Sequence, residues 1–214
     1  MSRVRVKVTE QPAIEPVELV DVRTSIGIND ATFDTYINAL ISSSRQFVEE
    51  YLNRKLIDQE LTAYYDSARS SGLVFEGEIT APEQYISGET YLDLRYAPIA
   101  SVTEISTFND DNEESVFDAS NYYLENFDDD ATSSIRLNYG KTWPTGVRAS
   151  MGYKVVYRAG YGTTKEDVPS IIRGAIKMMT VYMFQNRGDS ESSDKGFMAS
   201  GAEPILNTYR RFAL

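Results

Sequence analysis

The segment Val168–Gly188, VPSIIRGAIKMMTVYMFQNRG, sets how the other elements must pack. Ile172, Ala175, Ile176, Met179, Tyr182 and Met183 recur at i, i+3 and i+4, the spacing that lines one face of a helix. Val181 and Phe184 widen that stripe beyond what a surface helix needs, so two neighbours must cover it. Pro169 suits a first turn, where a missing N–H costs nothing. Asp167 stands where a cap or a partner for the helix dipole belongs. Arg187 closes the last turn, and Gly188 can adopt a left-handed stop. Arg173, Lys177, Gln185 and Asn186 interrupt the apolar run, which argues against a membrane span. The spacing therefore predicts a central core helix, with Met178, Met179 and Met183 as gap-filling side chains.

Its natural partner lies near the other end of the chain. Asn29 or Asp30 can cap a long helix reaching about Lys55. Phe33, Ile37, Leu40, Ile41, Val48, Tyr51 and Leu52 mark the buried face of that helix. Ser42-Ser43-Ser44 inside it implies a close helix neighbour. Before it, Val17–Gly27 reads as a short helix with Val17, Val20 and Ile26 inward and Gly27 as its stop. Earlier still, Ser2–Val8 alternates strictly, with valines on one side and Arg3, Arg5 and Lys7 on the other. Two readings stand for this strand: an edge kept soluble by charge, or a strand that pairs with a neighbouring subunit.

From Ile57 the period changes to two. Leu61, Ala63 and Tyr65 alternate with Glu60, Thr62 and Tyr64. Strands are expected at 91–94, at 102–108 and 116–124 as a hairpin around the polar turn 109–114, at 135–138 and at 153–157. Lys141–Pro144 between the last two holds the only tryptophan, Trp143. Residues 188–204 are rich in Ser, Gly and Asp and are expected to form a mobile loop. Ile205, Leu206, Tyr209 and Phe212 then share one helical face, with Arg210 and Arg211 off it. Helices, a β block and helices again make an α+β chain. The expected domains are a helical core from 1–56 and 161–214, its N- and C-terminal helices packed together, and an inserted antiparallel β domain from 57–160.

Composition narrows the chemistry. Neither Cys nor His occurs among the 214 residues, which removes disulfides, thiolate chemistry, Cys/His zinc sites and imidazole bases. The N-terminus lacks an apolar stretch of the kind a secretory leader needs. The net charge of −11 repels a phosphate backbone.

Three features invite a chemical reading. Asp128-Asp129-Asp130 could bind a hard cation, but it lacks the glycine and terminal Glu of an EF-hand loop, and a solvated acidic turn is the simpler reading. Gly160-Tyr161-Gly162 matches no phosphate-binding spacing and fits a strand-to-helix turn. Glu76, Glu78, Asp93 and Glu104 could include a carboxylate pair, the basis of an alternative reading as an acidic-site hydrolase or a sugar- or metal-binding β module. No cofactor is called for, and the main reading is not an enzyme.

The order of motifs resembles the head–tail connector (adaptor) proteins of long-tailed bacteriophages and gene transfer agents. Glu15–Val22, Phe47–Leu56, Leu94–Ile105, Phe117–Leu124, Tyr157–Gly162, Val168-Pro169, Asn186-Arg187 and Tyr209–Arg211 carry the resemblance. It implies a structural virion protein at the head–tail interface, assembled in the host cytoplasm. Such a protein forms a ring of about twelve subunits beneath the portal, by closed head-to-tail contacts. The ring would also meet a tail-side stopper or tail terminator. It extends the DNA channel for packaging retention and ejection, with DNA passing without tight binding and no membrane involved. An acidic wall suits that passage. Ile205, Leu206, Tyr209, Arg210, Arg211 and Phe212 are the expected portal interface, the alternative being that this short helix folds back on the protein's own core, and Asp128, Asp129 and Asp130 an acidic loop facing the channel.

Overall fold

The computed structural model describes residues 4–70, 90–125, 133–187 and 197–210. The chain is α+β, and its contacts divide it into a helical unit (11–59 and 159–214) and a β unit (1–10 and 60–158).

The helical unit holds α1 (Leu19–Ile26), α2 (Asp34–Leu52), α3 (Ser170–Gln185) and the short α4 (Ala202–Leu206). Helix α3 buries Ile172, Ala175, Ile176, Met179 and Phe184 of the stripe its spacing predicts, and Thr180 besides, while Tyr182 and Met183 are half-buried. Against it lies α2, which buries Ile37, Leu40, Ile41, Val48 and Leu52. The serine run does mark a close approach: Ser44 is fully buried, its Oγ 3.1 Å from Thr180 Oγ1. Small hydroxyl residues let the two backbones draw near, and Thr180 also donates to the Ile176 carbonyl at 2.8 Å, so its polar atom is satisfied.

Two helix starts and one buried face depart from expectation. Helix α2 begins at Asp34, after a turn in which Asp30 Oδ1 accepts from the Thr32 N–H at 2.9 Å. Asp167 does not cap α3. It closes a reciprocal box with Thr164 around a single 3-10 turn, Lys165–Asp167, and α3 follows Pro169. In α1 it is Val22 that is buried, whereas Val20 is 59% exposed. Gly27 stops α1 at φ 80°, its N–H on the Arg23 and Thr24 carbonyls. The expected stop at Gly188 lies outside the described residues.

The β unit contains β1 (Val4–Glu10), β2 (Gln59–Tyr65), β3 (Arg69–Ser70), β4 (Thr90–Asp93), β5 (Ile99–Phe108), β6 (Glu114–Val116), β7 (Tyr122–Glu125), β8 (Ser134–Leu137) and β9 (Tyr153–Ala159). They form a five-stranded sheet, β1-β2-β9-β5-β6, and a four-stranded one, β3-β4-β8-β7. The N-terminal strand lies here, not with the helices. Val4, Val6 and Val8 stand opposite Tyr65, Ala63 and Leu61, so its apolar face continues that of β2. The expected hairpin is shorter than its spacing suggests: its second strand is only Glu114–Val116, paired with Ser106–Phe108 of β5, and the chain then moves to the second sheet as β7. The 3-10 turn Ala119–Asn121, where Asp118 accepts from the Ser120 N–H at 2.7 Å, makes that switch.

Where the chain leaves and re-enters the helical unit, the two strands of the crossing touch. The Asp58 N–H donates to Gly162 O at 2.8 Å and the Tyr161 N–H to Leu56 O at 3.0 Å. Gly160 has φ 143°, and a Cβ there would sit 2.5 Å from Asp58 N and the Ile57 carbonyl carbon. Gly160 thus serves a close approach of the two chain segments, and a Cβ at Gly162 would meet the Asp167 carboxylate.

Candidate assembly surfaces

The C-terminal segment is anchored on its own unit. Leu206 and Ala202 are fully buried and Phe197 is nearly so. The Phe197 ring lies 4.8 Å from Phe47 and 4.7 Å from Tyr51. Tyr51 Oη donates to Asn207 Oδ1 at 2.5 Å, and the buried Arg54 donates from Nε to the Tyr209 carbonyl at 3.1 Å. Arg210 places its guanidinium 4.6 Å from the Tyr51 ring centroid. Two expectations are thereby corrected. Residues 197–204 of the expected loop are packed, because Phe197 and Ala202 supply what their Ser- and Gly-rich neighbours lack; 188–196 lie outside the described residues. The apolar face at 205–209 is also not free: Leu206 is core, and Ile205 and Tyr209 pack half-buried against it. Arg211 and Phe212 lie outside the described residues, as do Asp128, Asp129 and Asp130 of the acidic loop.

A buried ionic network, invisible to the apolar pattern, braces the same unit. Glu49 is 1% exposed and accepts from Arg45 at 3.2 Å, Lys55 at 3.0 Å, the Leu56 N–H at 3.2 Å and Gln59 at 3.1 Å. Arg45, also buried, reaches Glu15 Oε2 at 2.8 Å. The signal was available: Arg45 and Glu49 stand four apart on the stripe that carries Ile41, Val48 and Leu52.

A groove of about 240 Å³ runs between α1 and α3, lined by Pro16, Val17, Asp21, Arg173, Gly174 and Lys177 among others. A Cβ added at Gly174 would meet nothing.

The five-stranded sheet presents two different edges. On β1, Val4, Val6 and Val8 are only half-buried although the β2 residues opposite are buried. Arg5 pairs with Asp66 at 3.0 Å and Glu10 with Arg158 at 3.0 Å, while Lys7 is exposed. On β6 all three residues are exposed, Val116 at 68%. The turn before it carries Asp110, Asp111 and Glu113, with Arg148 donating to Asn112 Oδ1 at 2.7 Å. Lys154 lies 2.7 Å from Glu114; that hydrogen bond holds the Glu114 carboxyl below its ordinary value and raises Lys154.

As for carboxylate chemistry, Glu76 and Glu78 lie outside the described residues. Asp93 is on β4 and Glu104 on β5, in different sheets. Among the described residues there is no group of three or more Asp or Glu able to hold a metal ion, and no helix long and apolar enough to cross a membrane.

Residues 16–93 match the family model of phage gp6-like head–tail connector proteins. No curated protein sequence matches the chain significantly. Among solved structures, the fold is similar to a chain from the neck of an empty GTA particle computed with C6 symmetry, at TM-score 0.72 and 13% identity over 98% of this chain and 97% of that one. A chain from the virion of a native gene transfer agent (GTA) particle gives 0.69 and 16%, over 98% and 96%. One from the neck of the native GTA particle computed with C12 symmetry gives 0.64 and 17%, over 97% of both. At these identities the likeness speaks for the fold.

Proposed function

We propose that this chain, which belongs to the phage head–tail connector family and has that family's structural head–tail joining role, works as one subunit of a closed ring beneath the portal. The family match over residues 16–93, which spans α1, α2 and β2, carries the reading. The near-complete fold likeness to chains of GTA necks supports it, and the C12 symmetry of one of them fits a ring of about twelve subunits. The ring sits in the virion between head and tail, meets the portal above and a stopper or tail terminator below, and extends the DNA channel. No step of this role asks for catalysis.

In this reading the helical unit is the ring's body and the β unit an insertion carried on it, in keeping with the adjacent chain crossings at 56–58 and 161–162. The portal contact falls to the outward side of the C-terminal segment: Ile205, Tyr209 and Arg210, with Arg211 and Phe212 beyond, where guanidinium groups can fork to portal carboxylates. Leu206 takes no part, being buried. Asp128, Asp129 and Asp130 face the bore, where the net charge of −11 keeps the phosphate backbone from adhering.

Electron microscopy of the purified protein mixed with portal tests this. An added ring beneath the portal is expected; portal particles unchanged at saturating protein would overturn the proposal.

A further inference from the structure

The proposed ring needs one surface on each copy that accepts and another that donates, because a head-to-tail contact joins two different patches. The five-stranded sheet has such a pair. Its two outermost strands are β1 and β6, and among the described residues neither has a strand on its outer side. An open edge offers a row of unpaired N–H and C=O groups, which a strand of another chain can satisfy.

Charge separates the two edges. The exposed cation Lys7 guards β1, and a register shift between Val8 and Glu10 further discourages casual pairing. Glu114 and the turn bearing Asp110, Asp111 and Glu113 guard β6. Each edge therefore repels a copy of itself, since like charges opposed across a ladder are unfavourable. The same charges attract when β6 of one copy meets β1 of the next. Apolar surface points the same way: Val116 is 68% exposed at one edge, and Val4, Val6 and Val8 are left half-covered at the other.

We infer that β6 (Glu114–Val116) of one subunit adds to the β1 edge (Val4–Glu10) of its neighbour, so that the five-stranded sheets run on from copy to copy around the ring. This rests on the ring reading above. It favours the head-to-tail contact over a two-fold dimer, because β1 with β1 brings Lys7 near Lys7 and β6 with β6 brings the acidic turns together. A contact of this kind repeated at every subunit needs little strength in each copy.

The absence of cysteine from the chain permits a clean test. Full-length Lys7→Cys, Ser115→Cys and the double variant are assembled into necks and treated with a short bis-maleimide, which tolerates an unknown register. The ring itself is scored separately by electron microscopy. The double variant is expected to give a ladder of covalent multimers, and each single variant none. A well-formed ring without the ladder overturns the edge contact and leaves the ring reading standing; necks without any ring overturn both. As a second measure, Lys7→Glu should weaken the contact roughly fivefold, the scale of a like-charge cross-strand pair. Asp111→Lys in the same chain should restore it. Ring yield unmoved by Lys7→Glu, in a variant that melts like the parent, would count against the contact.

Discussion

Single residues carry more of this fold than their polarity suggests. Glu49 is the one carboxylate against which Arg45 and Lys55 are both buried. Removing it takes from two buried cations the one buried carboxylate they share, so Glu49→Ala should cost about 3–5 kcal/mol in denaturant unfolding. Glu15→Ala, at a partly exposed partner of Arg45, should cost no more than about 1 kcal/mol. Equal losses would show that the network acts through packing alone. Tyr157 poses the complementary case. Its hydroxyl donates to the Arg95 carbonyl at 3.0 Å, and burial pushes its pKa well above the ordinary value near 10. The unfolded chain ionises this phenol near pH 10 while the folded chain resists. Its contribution is therefore complete below that pH and is lost as pH rises beyond it. Tyr157→Phe should cost about 1 kcal/mol at neutral pH and should flatten the alkaline fall in stability. Tyr122 and Tyr153, also raised by burial, keep part of that fall in place. Denaturant midpoints across the alkaline range would check both statements.

Elements were legible in proportion to how strongly one face had to be buried. Helix α3 announced itself because Ile172, Ile176 and Met179 leave no other arrangement, and α2 followed because that stripe needed covering. Val20 misled, since in an eight-residue helix with valines at 20 and 22 either phase looks amphipathic, and only the neighbouring helices decide. The segment after α3 misled for a different reason. Its composition is dominated by small and polar residues, yet Phe197, Ala202 and Leu206 suffice to fix residues 197–206 onto α2 and α3. Composition averages over a window, whereas docking depends on a few well-placed apolar side chains. Leu206→Ala should accordingly cost about 2–5 kcal/mol, the range for a leucine removed from a packed core. Arg210→Ala, an exposed side chain laid over Tyr51, should cost under about 1 kcal/mol and act mainly on portal attachment. If Leu206→Ala melts like the parent while losing portal binding, the segment is an external anchor after all.

At the scale of the molecule, charge and topology point to the same kind of task. The pattern of helices, strands and helices was enough to expect an insertion, but not to place β1. Its valines fit any apolar edge, and only pairing with Leu61, Ala63 and Tyr65 identifies which. The assembly surfaces were harder to read, because an exposed strand edge and a solvated charge have the same sequence signature whether or not a partner meets them. Net charge does better, since it is a property of the whole surface. With 32 acidic against 21 basic side chains, the protein should show no measurable affinity for a duplex at physiological salt. Replacing Asp128, Asp129 and Asp130 together by Lys changes that balance at one place in the proposed bore. Cation contacts to phosphate release counterions, so the variant ring should hold DNA in a manner that weakens steeply with added salt. Rings should still assemble in normal yield, while DNA ejection slows most at low ionic strength and recovers as salt is raised. Ejection timed at several salt concentrations on particles carrying the variant gives the answer. Ejection as fast as in the parent at every salt concentration would place that loop away from the channel.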